Sequence, residues 1–207
     1  MKKKLAFLLL AASPLIPASA LAAGGGIYVK PKVMYESGSA EHRNANFDDS
    51  AFGFGVAVGW DLRQKVKWGP VSPRFEVELA TSGEKSDRAS RGGLNHYNYK
   101  TKWSTTSLFV NGYADFHNST PITPYVGLGI GSAYTSHKVE GNDHYHNYWF
   151  SRKEDAIQFA YNIGLGAAFR ITNTVGLDLN YRYANFGDIN RGTVDAHQFL
   201  LGARFNF

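Results

Sequence analysis

The chain has 207 residues and contains no cysteine, so disulfide bonds cannot stabilise it. Its formal charge is +5, but three of its 22 basic residues lie within the first four positions, and the other 19 nearly balance 17 acidic residues. Such a balance argues against nucleic acid as the main partner. Beyond the amino terminus no apolar run approaches the roughly 18 residues of a membrane helix. The 22 glycines and 14% aromatic residues are instead typical of membrane β-barrels.

The amino terminus has the pattern of a secretory signal peptide. Three lysines at positions 2–4 precede an apolar stretch at 5–12, and Ala20-Leu21-Ala22 is a cleavage site of small residues. We therefore expect residues 1–22 to be removed on export and residues 23–207 to form a single domain. The alternative is a buried helix of the protein core.

Eight segments alternate apolar and polar residues with a period of two, which is typical of β-strands with one apolar face. In chain order they are 26–35, 51–62, 73–80, 108–116, 123–134, 157–170, 175–183 and 198–207. The second is the cleanest, because Phe52, Phe54 and Val56 are separated by single glycines. Most are about nine residues or longer, the length that a tilted strand needs to cross a bilayer.

The last segment ends on a terminal aromatic residue. Phe199, Leu201, Phe205 and Phe207 share its apolar face. This end resembles the closing strand of bacterial outer-membrane barrels, in which a terminal phenylalanine is the mark read by the insertion machinery. We therefore expect Phe207 to be an assembly signal and the insertion machinery to be a partner.

The connections between the segments alternate in length. Those at 36–50, 81–102, 137–155 and 184–195 are long or intermediate, and those at 63–71, 117–122 and 172–174 are shorter. This rhythm predicts four extracellular loops, short periplasmic turns and both ends of the mature chain in the periplasm. The predicted fold class is all-β, an eight-stranded antiparallel transmembrane β-barrel in the outer membrane of a Gram-negative cell.

Aromatic residues near both ends of the apolar face match the two interfaces of a bilayer. We therefore expect the apolar face to meet lipid and the charged face to line the lumen. The alternative is a secreted, lipocalin-like barrel with an apolar pocket. The charged residues predicted for the lumen are Lys30, Lys32, Arg74, Glu76, Glu78, Asp115, Asp178, Arg182 and Arg204.

Buried charges must be paired, and side chains can just fill an eight-stranded barrel. We therefore predict that these residues form an ion-pair network that plugs the lumen, with Asp61 left at the periplasmic rim. A conducting pore and a catalytic site are the alternatives.

The connection at 81–102 is net basic and carries tyrosines between its charges. Its candidate ligand contacts are Lys85, Arg88, Arg91, Tyr97, Tyr99 and Lys100. Such a loop could bind a sulfated glycan or the phosphates of lipopolysaccharide through its charge. The alternative is a solvated loop that its charges keep extended.

The connection at 137–155 contains Glu140, Asp143, His144 and His146, residue types that can hold a transition metal. An irregular loop offers no fixed geometry, so we expect no metal and no cofactor. The same residues could serve an omptin-like protease or a lipid A deacylase. Those enzymes need paired acid and base residues on rigid strand ends, and we expect no catalytic residues and no enzyme.

Three segments carry a family resemblance: GYADF at 112–116 followed by ITPYVG at 122–127, LDLNYRY at 177–183, and LGARFNF at 201–207. They are similar to segments of the neisserial opacity (Opa) proteins and neisserial surface protein A, and the likeness runs through all eight strands in order. The resemblance implies an integral outer-membrane barrel, a surface antigen surrounded by outer-membrane lipid and lipopolysaccharide. The function we expect is display of four loops for adhesion or host-receptor contact. A small porin passing ions or small solutes is the alternative.

Overall fold

The structure is a computed structural model that describes residues 26–42, 45–66, 68–83, 85–91, 97–143, 148–189 and 192–207. Within these ranges the strands are β1 Ile27–His42, β2 Ala45–Asp61, β3 Val71–Ser82, β4 Lys85–Arg91, β5 Tyr97–Phe116, β6 Ile122–Asp143, β7 Tyr148–Arg170, β8 Val175–Ile189 and β9 Gly192–Asn206. Within the same ranges, no helix has the length and apolar character needed to cross a membrane.

The strands form one closed antiparallel sheet. Except for β3 and β4, neighbours in the chain pair with one another, and β1 closes the circle by pairing with β9. β3 and β4 both pair with β5, in consecutive parts of its length, so they are two halves of one barrel strand. The predicted eight-stranded antiparallel barrel is therefore confirmed.

Side chains alternate between the two faces of the wall in the sense opposite to a water-soluble barrel. On β3, Phe75 and Val77 are 50% and 53% exposed on the outer face, whereas Arg74 and Glu76 are buried inside. The strand has this orientation because its apolar residues can face hydrocarbon only from the outside of the cylinder. An outer surface this apolar argues against the lipocalin-like alternative, whose oily face would point inward.

The connections that we predicted to be long loops are largely strand in the structure. β1 continues to His42 and β2 begins at Ala45, while β6 reaches Asp143 and β7 begins at Tyr148. The two other long connections are shortened in the same way. The prediction was wrong because the regular alternation of apolar and polar residues that marks a membrane strand is lost in these segments, although the backbone pairing continues.

The wall divides in two at the end of the barrel far from the chain termini. The β2–β3 register ends at the pair Gly53–Ser82, and the β7–β8 register ends at Tyr161–Asn185. Past these pairs, β2 stays paired with β1 and β1 with β9, while β4, β5, β6 and β7 stay paired with one another. Two sheets of extended hairpins therefore rise from the closed cylinder.

Candidate functional site

The candidate site is the barrel interior together with the hairpins above it. Eight of the nine charged residues predicted for the lumen are buried: Lys30, Lys32, Arg74, Glu76, Glu78, Asp115, Asp178 and Arg182. They come from β1, β3, β5 and β8, because each strand sends every second side chain inward.

Arg74 is the centre of the lower part of this interior. Its guanidinium donates hydrogen bonds to Asp115 at 2.8 Å and to Glu76 at 2.6 Å. The rings of Tyr113 and Tyr125 lie 4.1 Å and 4.6 Å from its central carbon. Two carboxylates and two aromatic faces thus offset the cost of burying this cation.

Lys30 links this centre to the opposite wall. Its ammonium lies 2.6 Å from Glu76 on β3 and 3.3 Å from Asp178 on β8. The hydroxyl of Tyr125 donates to the same Asp178 oxygen at 2.7 Å. One lysine therefore ties together strands on opposite sides of the barrel.

A second ionic centre lies one step higher, at Glu78. Its carboxylate accepts hydrogen bonds from Lys32 at 2.8 Å and from Arg182 at 3.0 Å. The amide of Asn111 donates to it at 3.2 Å. Lys32 also lies 3.7 Å from the lower Glu76 carboxylate, so the two centres are joined.

The ninth predicted residue, Arg204, is at the periplasmic mouth and is only partly buried. It donates to Asp61 at 2.9 Å, and its guanidinium lies 3.9 Å from the ring of Tyr28. The structure therefore adds Asp61, which the sequence analysis left at the rim, to the set of paired charges.

Three inward-pointing tyrosines were not among the residues predicted for the network. They are Tyr28, Tyr113 and Tyr125, and the residues directly opposite them on the neighbouring strands are Gly59, Gly127 and Gly166. A methyl group at any of these glycines would overlap the tyrosine ring. A glycine opposite an aromatic residue on the polar face is thus the signal that could have identified these rings.

Two further polar residues of the interior were also missed. Gln198 accepts a hydrogen bond from Arg182 and donates one to Glu36, and both Gln198 and Glu36 are buried. Glu36 escaped notice because we placed it at the start of a loop rather than on β1. These contacts extend the network upward from Glu78.

An apolar layer covers the ionic network on the side of the hairpins. Its buried members are Phe109, Ala133, Ala160, Ala184, Phe186 and Ala196. Phe109 joins the two layers, since the Arg182 guanidinium lies 5.3 Å from its ring. From the periplasmic end toward the hairpins, the interior is therefore filled by paired charges and then by apolar side chains.

A small cavity lies within the ionic network beside Lys30, Asp178 and Gly202. The volume that the centre of a water molecule can occupy there is about 10 Å³, which is room for about one water. Such a cavity is too small to be a binding pocket for an organic solute.

The predicted ligand contacts come together on one hairpin. Lys85, Arg88 and Arg91 belong to β4, and Tyr97, Tyr99 and Lys100 belong to β5. The two strands are paired, with Arg88 opposite Lys100 and Arg91 opposite Tyr97. Their side chains lie outside the described part of the structure, so the placement concerns the backbone alone.

The candidate metal residues His144 and His146 lie outside the described residues. In the part of the chain that is described, no three His, Cys, Asp or Glu side chains are grouped to hold a metal ion.

A serine–histidine pair that the sequence analysis did not identify lies at the periplasmic end of β3. The Ser72 hydroxyl is 2.6 Å from Nε2 of His117. Ser72 is 2% exposed, so a substrate could not reach it, and we interpret the pair as structural.

Comparison with known proteins agrees with this architecture. The outer membrane protein PagN of Salmonella typhimurium is 33% identical over 146 residues, which are 67% of this chain and 59% of PagN. The opacity protein opA67 of Neisseria gonorrhoeae is 25% identical over 228 residues, with 89% of this chain and 98% of that protein covered. The crystal structure of neisserial surface protein A has a TM-score of 0.56 at 16% identity, with 88% and 97% covered.

These likenesses confirm the resemblance read from the strand motifs. The chain spans little more than half the length of PagN, whereas it covers nearly all of the neisserial proteins. The family described as "Outer membrane protein beta-barrel domain" matches residues 7–207. The chain therefore belongs to the outer membrane protein β-barrel family, and it is a protein of the bacterial outer membrane.

Proposed function

We propose that the protein is a non-enzymatic surface protein whose barrel holds four hairpins in place for adhesion or for contact with a host receptor. The observation that supports this most strongly is the filled interior. Charged residues and then apolar residues occupy the lumen, while the strands continue past the cylinder as paired hairpins. The hairpins are thus the part of the described chain that extends beyond the filled cylinder, on a rigid support.

The charge of the β4–β5 hairpin favours an anionic ligand. β4 contains Lys85, Arg88 and Arg91 but a single acidic residue, Asp87. Pairing with β5 sets these cations at fixed spacings along a strand, as binding to a repeating anion requires. The ligand class that we propose is a sulfated glycan or the phosphates of lipopolysaccharide.

Binding to immobilised heparin tests this proposal. We expect the detergent-solubilised barrel to bind, and we expect the variant Lys85→Gln/Arg88→Gln/Arg91→Gln to lose at least tenfold in affinity, since each exposed cation contributes of the order of 0.5 kcal/mol or more. Binding of the wild type should fall steeply as salt rises.

The matched control is Lys153→Gln on β7, because Lys153 is an exposed cation of another hairpin, 3.4 Å from its own carboxylate partner Asp155. Equal binding by the triple variant and the control would exclude the β4–β5 hairpin as the site. If shortening all four hairpins left adhesion to host cells unchanged, the display function itself would be wrong.

We also propose that residues 1–22 are a cleaved signal peptide, that residues 23–207 form the barrel domain, and that Phe207 is the assembly signal. In support, the Phe207 backbone N–H donates to Ile27 at 3.0 Å, so the last residue closes the sheet beside the first strand. Amino-terminal sequencing of protein from the outer membrane should begin near residue 23. Deletion of Phe207 should leave most of the protein unassembled, as measured by heat-dependent mobility in gels.

A further inference from the structure

The periplasmic turn between β2 and β3 differs from the other two turns in charge. The turns at 117–121 and 171–174 contain no Lys, Arg, Asp or Glu, whereas the β2–β3 turn contains Arg63, Lys65 and Lys67, the last of which lies outside the described residues. This turn is compact, because the backbone N–H groups of Lys65 and Val66 both donate to the carbonyl of Leu62, at 2.9 Å and 2.8 Å. Lys65 is therefore held on a hydrogen-bonded backbone.

Lys65 is positioned on the lipid side of the wall. Its ammonium lies 4.8 Å from the centre of the Trp60 ring, and Trp60 is 45% exposed on the outer face of β2. Trp68, at the far end of the same turn, is 66% exposed. Tryptophans at the end of a membrane strand mark the interface between hydrocarbon and headgroups, so Lys65 lies at the depth of the headgroups.

The Lys65 charge has no carboxylate partner among the residues that the structure describes. The nearest acidic residue in the sequence, Asp61, accepts from Arg204 at 2.9 Å and from the Arg63 backbone N–H at 2.9 Å. A lysine that crosses an aromatic ring toward the interface and meets no carboxylate is arranged to meet an anion from the membrane.

We propose that Lys65, Trp60 and Trp68 form a binding site for the phosphate of an anionic phospholipid in the inner leaflet of the outer membrane. The ammonium meets the phosphate, and the two indole rings pack against the glycerol and the upper acyl chains. The site lies at the opposite end of the barrel from the hairpins, so it is independent of the display function. It would anchor the barrel at a fixed depth and rotation.

Native mass spectrometry of the full barrel in detergent tests the site. Dioleoylphosphatidylglycerol and dioleoylphosphatidylcholine are added in equal amounts, and the retained lipid is counted. We expect the wild type to retain the anionic lipid preferentially, and Lys65→Gln to reduce that preference about fivefold, the effect of one cation near an anionic surface. Lys65→Arg should restore it.

The matched control is Arg170→Gln, because Arg170 is an exposed cation at the periplasmic end of β7 whose register points toward the lumen rather than the lipid. Heat-dependent gel mobility verifies that each variant is folded. An unchanged lipid preference in folded Lys65→Gln, or an equal loss in Arg170→Gln, would overturn the proposal. So would a loss of binding to purified peptidoglycan without any loss of lipid, since the partner would then be the cell wall.

Discussion

At the scale of single residues, the interior depends on the pairing of charges that the barrel wall separates from lipid. Arg74 has two carboxylates, Glu76 and Asp115, each within 2.8 Å. Burying an ion pair gains little net stability, but removing one member leaves an uncompensated charge. Disrupting the network therefore lowers the free energy of unfolding by more than forming it contributes. The network also favours one arrangement of the strands over others.

Substitution of Arg74 by methionine tests this reasoning. We expect a loss of about 3–5 kcal/mol in the free energy of unfolding, because Asp115 then loses its partner in a buried site. Urea unfolding in lipid vesicles, followed by tryptophan fluorescence, measures it.

Two further variants are controls. Arg74→Met/Asp115→Leu should recover part of the loss, because it removes the whole pair. Arg204→Met should cost less, because that pair with Asp61 lies at the mouth and is partly exposed. An Arg74→Met protein as stable as Arg204→Met would contradict the role that we assign to the network.

At the scale of elements, the β5–β6 turn is attached to β3 through His117. Its Nε2 is 2.6 Å from the Ser72 hydroxyl, and its backbone N–H donates to Pro70 at 2.7 Å. Burial, together with the nearby Arg63 cation, lowers the pKa of the His117 imidazole below its ordinary value, against the opposing effect of the Asp115 carboxylate. The folded protein therefore favours the neutral ring.

A lowered pKa predicts that acid weakens this attachment. Between the folded pKa and the ordinary value of about 6.5 the unfolded chain binds more protons than the folded one. The contribution of His117 to stability is therefore complete above about pH 6.5, and it is lost as the pH falls through the folded pKa. His117 is only partly buried, so the effect is small.

An NMR titration of the imidazole measures this effect directly. We expect a midpoint for His117 below that of an exposed histidine, with the signal assigned by its absence in His117→Asn. The stability of His117→Asn should also depend less on pH between 7 and 5. A midpoint at or above 6.5 would show that the charged ring is tolerated in the turn.

At the scale of the whole molecule, the closed wall and the filled lumen determine what the protein can transport. The cavity in the ionic layer holds about one water, and the layer of Phe109, Phe186 and four alanines lies above it. An ion would have to displace paired charges and then cross an apolar constriction, which is unfavourable without a structural change.

Conductance in a planar lipid bilayer tests this conclusion. We expect the inserted wild-type barrel to show no steady current, and an open porin recorded under the same conditions serves as the positive control. The variant Phe109→Ala/Phe186→Ala should remain closed, because the ion pairs below the apolar layer are intact. A steady open current through the wild type would favour the small-porin alternative.

The alternation of residue types was sufficient to predict the wall. Arg74, Glu76 and Glu78 alternate with Phe75 and Val77, and a strand with such faces can be buried in lipid in one orientation only. The same reasoning failed beyond the bilayer, where the strands lose their regular alternation of apolar and polar residues. It therefore placed Glu36 in a loop and predicted loops where β1, β2, β6 and β7 continue.

The sequence by itself determined the class of fold, because a period of two is typical of strands. The aromatic residues at both ends of the apolar face, the terminal Phe207 and the resemblance to the neisserial proteins indicated that this face meets lipid and that the barrel resides in the outer membrane. Only the tertiary structure decided which charges pair, because partners such as Lys30 and Asp178 come from strands far apart in the chain. It also decided that Tyr28 points inward and that Lys65 lies on the lipid side. Those outcomes depend on the register between strands and on the space that glycines leave on neighbouring strands. Neither can be read from the sequence of a single strand.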